Sequence, residues 1–233
     1  MPSETSPSSV PDDPDFLRST YEQRFSASEL AAKETLWPVL ADRVFQQYVP
    51  RDGTVLDLGA GYCELINSLV ARRRIAVDLN PDTERAAASG VEVLLTRSND
   101  LSMIEDDSVD AVVSSNFFEH LPDKQTLLAT LTEARRVLRP DGRIVVLMPN
   151  LRYLPGAYWD YLDHHLPLTH VSLCEALTLA GFRPTRVVPR LLPYTVRDSR
   201  LPTRSWLIRA YLSFPPAWRI LGRQMFIVAD IAI

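Results

Sequence analysis

The sequence predicts an α/β protein built on a mainly parallel sheet with helices on both faces. Two observations carry that prediction. From Thr54 onward, short runs rich in Val, Ile and Leu recur at 54–58, 74–79, 91–95, 109–115 and 143–148, and segments of helical composition at 62–71, 81–89 and 124–138 separate them. Short, continuously apolar strands alternating with helices are the signature of strands covered on both faces. The first run also stops abruptly: 55-VLDLGAGYCELINSLV-70 places two of the chain's 8 glycines directly after a strand-end aspartate. A strand that ends in a glycine turn and hands over to a helix points backbone N–H groups at whatever lies above it.

The elements follow in order. The N-terminal MPSETSPSSVPDDPD lacks a basic start and an apolar core, so it does not read as a signal peptide. Its Pro, Ser and Asp content predicts a disordered tail over 1–14. Residues 15–233 are expected to form a single domain, opening with a helical cap over 15–50. Within it, 15–25 and 28–48 read as helices, the second from the stripe Leu30, Leu36, Val39, Leu40, Val44 and Phe45. Pro38 is placed to kink it. After helix 124–138, Asp141-Gly142 reads as the turn into strand 143–148. Beyond 150 a loop rich in aromatics and histidine, 151-LRYLPGAYWDYLDHHLPLTH-170, leads to Ser172 and Glu175, a capping-box pattern for a helix that Gly181 closes. Strands are expected at 184–189 and 224–232, with 190–223 inserted between them.

Composition narrows the function. A net charge of −4 argues against a general nucleic-acid binder. No apolar run approaches the ~20 residues of a spanning helix. The two cysteines, Cys63 and Cys174, form no CxxC and no metal-like spacing, so they read as packing residues in a reducing compartment. A cytoplasmic protein is expected, monomeric or homodimeric.

Two ligand classes fit the glycine turn. A dinucleotide site wants G-x-G-x-x-G, but after Gly59 and Gly61 the third position is Glu64. The second strand ends in Asp78, and such an acid can bind the hydroxyls of any adenosine ribose. Read alone, the acid leaves both classes open.

In order along the chain stand D-x-G-x-G (Asp57, Gly59, Gly61), the second strand in 76-AVDLNP-81, then 109-VDAVVSSNFFEHLPD-123 and 138-LRPDGRIVVLMPN-150. This series resembles the class I S-adenosylmethionine-dependent methyltransferases, and within them the type 11 group. The resemblance is strong over about residues 50–150 and looser over 160–233. It implies a Rossmann-like, doubly wound seven-stranded sheet of order 3-2-1-4-5-7-6, the last strand antiparallel. It also implies S-adenosyl-L-methionine as cofactor. Asp57, Gly59 and Gly61 would form the turn against the methionine part, and Asp78 would take the ribose hydroxyls. Leu79 would lie against the adenine and Asn116 near the sulfonium. Relatives often carry a third glycine where this chain has Cys63. They also carry an aspartate after the third strand; here Asp100, or Ser98 and Asn99, would meet the adenine edge. Upstream, Tyr21 and Arg24 in 21-YEQRF-25 would close over the cofactor, Arg24 on its carboxylate.

Methyl transfer from a sulfonium asks the protein mainly to hold the nucleophile in line and exclude water. An alcohol acceptor gains from a base. Candidates cluster in 160-DYLDHHLPLTH-170: Asp163 beside His164, then His165, with Asp160 and His170 near. O-methylation of a small-molecule, glycan or lipid-linked acceptor follows as the expected reaction, in secondary metabolism or glycan modification. No metal is expected. His120, after Glu119, is expected to be structural, with substrate contact the alternative. The insertion is unusual: between 183 and 223 there are nine arginines and one acid, interleaved with Trp206, Tyr211, Phe214 and Trp218. It reads as a substrate lid or dimer face, or as a peripheral membrane contact. Two other readings of the chain stay open: a nicotinamide-dependent reductase, although no Tyr-x-x-x-Lys pair occurs, and a cofactor-binding module without catalysis.

Overall fold

The computed structural model describes residues 27–154, 156–194 and 204–232, with side chains from Ala32 onward. The expected tail over 1–14, the helix over 15–25 with Tyr21 and Arg24, and part of the insertion lie outside the described residues.

Seven strands form one sheet: β1 (Thr54–Leu58), β2 (Arg73–Asp78), β3 (Val91–Leu95), β4 (Val109–Ser115), β5 (Leu138–Pro149), β6 (Phe182–Leu192) and β7 (Gln224–Ile231). Their order is β3-β2-β1-β4-β5-β7-β6. The first five pair in parallel, and β7 runs antiparallel to both its neighbours. This is the expected doubly wound topology. β1 is buried at all five positions, and its sequence is apolar apart from Thr54 and Asp57.

The helices are α1 (Ala27–Leu40), α2 (Glu64–Ser68), α3 (Asp82–Ala86), α4 (Lys124–Val137), α5 (His170–Leu179), α6 (Ser205–Leu212) and α7 (Pro215–Leu221). One core layer packs α4 and α5 on the sheet through Leu127, Leu131, Leu173 and Leu177. The other packs α1, α2 and parts of α6 and α7 on the opposite face, around Phe45, Ile66 and Phe226.

Several boundaries differ from the sequence reading, and one of them is β6, which runs to Leu192 rather than ending at 189, so that the insertion starts later than 190. The expected helix 28–48 is α1 followed by a π turn at Ala41–Phe45 and a 3-10 turn at Gln46–Tyr48. Pro38 lies inside α1 and lacks an amide hydrogen, so the regular ladder loosens after it. α2 and α3 are five residues each, because the chain turns extended at Leu69 and Ala87. Strand β5 starts at Leu138, and Asp141-Gly142 is a bulge in it: Val109 pairs Leu138 but Ala111 pairs Arg143. The cap of α5 is Thr169, whose side chain accepts from the Ser172 backbone, so the helix opens earlier than the Ser172–Glu175 pattern indicates.

Candidate functional site

The carboxyl ends of β1, β2 and β4 meet at the glycine turn. Gly59 and Gly61 have φ of 72° and 51°, left-handed values that favour glycine. A Cβ on Gly59 would sit 2.1 Å from Cγ of Phe117, so that position takes no side chain. The third left-handed residue is Cys63 at φ 60°. The turn therefore keeps the conformation of a third glycine while its side chain is buried completely.

Three acids crowd this turn. Asp57 is buried, with Oδ1 shielded from solvent and lacking a hydrogen-bond partner. Burial pushes its carboxyl well above the usual range, and the charges of Asp78 and Glu64 push it further; a hydrogen bond from the Ile66 backbone opposes them. Asp78 accepts from Gly61 N at 2.7 Å and Asn80 N at 2.8 Å, so it ties the loops after β1 and β2 together. Burial raises its pKa, against those backbone bonds and the charge of His120. Glu64 pairs with Lys33 of α1 at 2.9 Å. Thr83 Oγ1 donates to Gly61 O at 2.8 Å and locks the turn from below.

The remaining cofactor candidates divide. Leu79 is half-buried beside Asp78. Asn116 ends β4 at φ 49°, its N–H bonded to Leu147 O at 2.8 Å. A non-glycine residue held in that region is a strained position of the kind found at functional sites. Ser98 is buried and its hydroxyl faces Thr130 of α4 at 2.8 Å, so only its backbone is left for a ligand. Asn99 is half-buried. Asp100 is exposed and bonded within its own loop, to Ser102, which lowers its pKa.

A second cluster sits after β4 and β5. The expectation that Asp163 orients His164 is corrected: the Asp163 carboxylate lies 3.1 Å from His120 Nδ1, and its carbonyl oxygen lies at 2.9 Å. Sequence adjacency could not show this, because 43 residues separate the pair. Burial pushes the His120 imidazole down, but the bond to Asp163 and the charge of Glu119 outweigh it, and the net shift is upward. His164 is buried; its Nδ1 donates to Tyr158 O at 2.9 Å and its ring stacks on Tyr161. The His120 and His164 rings meet edge to face at 5.1 Å. His165 and Leu166 donate their backbone N–H groups to Glu119 O at 2.9 and 3.0 Å, which zips the loop onto the turn after β4. The side chain of His165 is exposed, and Asp160 is exposed as well. His170 lies apart, bonded to Asn150 and stacked on Tyr153. The residues that sequence reasoning undervalued are Glu119 and His120. Their signal was the E-H pair after the fourth strand.

The described part of the insertion forms α6 and α7, which lie along the flank of α1 and β6. Arg209 pairs with Asp42 at 3.0 Å, Tyr211 donates to Leu191 O at 2.7 Å and Trp218 Nε1 to Tyr211 O at 2.9 Å. Among the described residues no helix is long and apolar enough to cross a membrane.

Sheet order, glycine turn and strand-end acids give the fold that the resemblance to class I S-adenosylmethionine-dependent methyltransferases implies. Residues 56–146 match the family model described as a methyltransferase domain, of type 11. Solved structures with the same fold include a chain of the complex between the Haloferax volcanii Trm112 methyltransferase activator and a methyltransferase. It shares 20% identity at TM-score 0.68, over 94% of this chain and 98% of that one. A SAM-dependent methyltransferase from Archaeoglobus fulgidus shares 21% at TM-score 0.63, over 91% and 98%. Geranyl diphosphate C-methyltransferase from Streptomyces coelicolor A3(2), solved with Mg2+, geranyl diphosphate and S-adenosyl-L-homocysteine, shares 17% at TM-score 0.59, over 98% and 86%. No curated protein sequence matches the chain.

Proposed function

We propose that the protein transfers the methyl group of S-adenosyl-L-methionine to an oxygen of a small-molecule or lipid-linked acceptor in the cytoplasm. The observation that carries the cofactor half is the acid-rich turn. Asp78 and Glu64 raise the cost of ionising Asp57, burial raises that of Asp78, and Asp57 Oδ1 has no partner. Such a site favours a ligand that brings positive charge, and S-adenosylmethionine carries a sulfonium and an ammonium. A pyrophosphate would meet like charge there, which speaks against the nicotinamide reading.

When bound, the cofactor supplies an electrophilic methyl group. The chain's own residues do the rest. Gly59 and Gly61 let the backbone approach closely, Asp78 takes the ribose hydroxyls and Leu79 borders the adenine. Asn116 stands at the reacting end, and the loop of Ser98, Asn99 and Asp100 offers its backbone and Asp100's carboxylate at the adenine edge. Tyr21 and Arg24 remain proposed closing residues. Asp163 acts as a positioning residue for His120, and His164 walls the acceptor side. His165 is an outer contact because its side chain is exposed.

Calorimetry with S-adenosylmethionine, its demethylated product and NAD(H) tests the cofactor half. Binding of the first two, with NAD(H) far weaker, is expected; tighter NAD(H) binding refutes it.

The lipid-linked version of the acceptor rests on a separate observation. Trp206, Phe214, Ile220 and Leu221 are exposed on α6 and α7, and the described residues 204–223 hold four arginines and no acid. A basic surface with exposed aromatics suits an anionic lipid interface. Pelleting with anionic vesicles that weakens with salt and with Trp206→Ala supports it. No pelleting at any lipid composition leaves a soluble acceptor.

A further inference from the structure

Glu119, His120 and His164 come from two separate loops, yet each places one potential ligand atom within 4.8 Å of the others. Glu119 and His164 are buried, and His120 is partly open. Their surroundings resemble those of metal ligands. A ligating histidine almost always gives its second ring N–H to a carboxylate or a backbone carbonyl, which fixes ring and tautomer. Both histidines do so here. His120 Nδ1 faces the carbonyl and carboxylate oxygens of Asp163. His164 Nδ1 faces Tyr158 O. A carbonyl oxygen only accepts, so Nδ1 is the protonated nitrogen in each ring. In the neutral ring the lone pair is then on Nε2.

We propose that Glu119, His120 and His164 bind a divalent transition-metal ion of the zinc, cobalt or manganese type. Two imidazoles and one carboxylate form a three-ligand set of the kind that leaves a further position open for water or substrate. Metal–nitrogen bonds of about 2.1 Å bring tetrahedral ligand atoms to about 3.4 Å from one another. The cluster therefore has to draw in by no more than about 1.4 Å at any pair. His120 is the partly open member of the three. The open position is therefore reached from the side of His120. An ion held by these three residues would supply a Lewis acid that lowers the pKa of an acceptor oxygen. This role rests on the methyltransferase reading, whereas the binding of the ion does not. Sequence spacing alone gave no reason to expect a metal, because the ligands are 44 and 45 residues apart across two loops.

The test uses the purified full chain. Titration with cobalt(II) is expected to give a one-to-one complex with visible d–d absorption, and zinc is expected to displace it. Glu119→Gln keeps the shape and should weaken binding at least tenfold, as should His164→Ala. His165→Ala and His170→Ala should leave it unchanged. Thermal melts of each variant separate lost ligation from lost folding. Absence of a stoichiometric cobalt or zinc complex overturns the proposal, and so does affinity that survives Glu119→Gln with the fold intact. S-adenosylmethionine affinity, measured in parallel without metal, keeps failure of the methyltransferase reading distinct.

Discussion

The two halves of the site are assembled in opposite ways. The turn after β1 is contiguous: Asp57, Gly59, Gly61 and Cys63 stand in one stretch, and its conformation is dictated locally by left-handed backbone at 59, 61 and 63. The cluster after β4 is non-local: Asp163 reaches His120 across 43 residues, and His165 and Leu166 hang from the Glu119 carbonyl. A locally dictated site reads out in sequence and tolerates little backbone change. A site built from two loops hides its pairings and depends on each loop holding its place.

The largest expected effect tests the backbone side. Gly59→Ala requires left-handed φ from an alanine, costing about 1–2 kcal/mol. It also drives a methyl into the Phe117 ring at 2.1 Å, adding about 1–3 kcal/mol. A fall in melting temperature of roughly 5–15 °C follows for a chain of this size. Gly156→Ala, in the second region, meets nothing within 4 Å and is expected to melt as the wild type does. Equal effects at the two glycines would remove the distinction between the regions.

Next is Asp78→Ala. Besides its proposed ribose contact, this strand-end acid holds Gly61 N and Asn80 N. Loss of cofactor affinity by about 1–3 kcal/mol is expected, and a measurable drop in melting temperature should accompany it. Asp100→Ala, an exposed acid on its own loop, should leave the melt unchanged. Calorimetry paired with melts separates the two contributions.

The acids also set a pH dependence. Asp57 and Asp78 have folded-state pKa values raised above their unfolded ones. Such groups contribute stability that is fully present below the unfolded pKa and is lost as pH rises through the folded pKa. The cofactor-free protein should therefore lose stability as pH rises above the ordinary carboxylate range. The increment in melting temperature given by S-adenosylmethionine should grow over the same interval. Asp57→Asn should flatten both trends. A stabilisation by cofactor that shrinks with rising pH would contradict the cationic-ligand argument.

Legibility in sequence follows the same division. All seven strands were readable from runs such as TVLDL and VDAVVSS, although β5 and β6, at 12 and 11 residues, extend beyond the apolar stretches that showed them. The strand order came with the family resemblance. The glycine turn and Asp78 were readable because their spacing along the chain is their geometry. Helix ends were read less well where tertiary ties decide them: α2 and α3 stop early while Asn67 bridges them, donating to Ala86 O and accepting from Ala88 N. The Asp163–His120 pairing was hidden because adjacency favoured His164. Only the fold shows that the loop turns His164 inward against Tyr158 and Tyr161.

The smallest expected effect concerns Cys63, where local conformation and packing oppose each other. Its φ of 60° costs a non-glycine residue about 1–2 kcal/mol. Its side chain is wholly buried, with Sγ 3.7 Å from Thr83 O, and burying so small a group is worth about 1–2 kcal/mol. Cys63→Gly removes both terms, so the two should cancel to within about 1 kcal/mol, a change of a few degrees at most. The thiol gives an independent check. Burial, reinforced by the charges of Asp57, Asp78 and Glu64, pushes it up to about 12. Because the thiolate is the reactive form, Cys63 should resist disulfide reagents in the folded protein at neutral pH and react once the chain is denatured. A Cys63→Gly variant much more stable than the wild type would mean that backbone strain dominates the turn. A variant much less stable would mean that the contact with Thr83 and α3, rather than local conformation, holds the third left-handed residue in place.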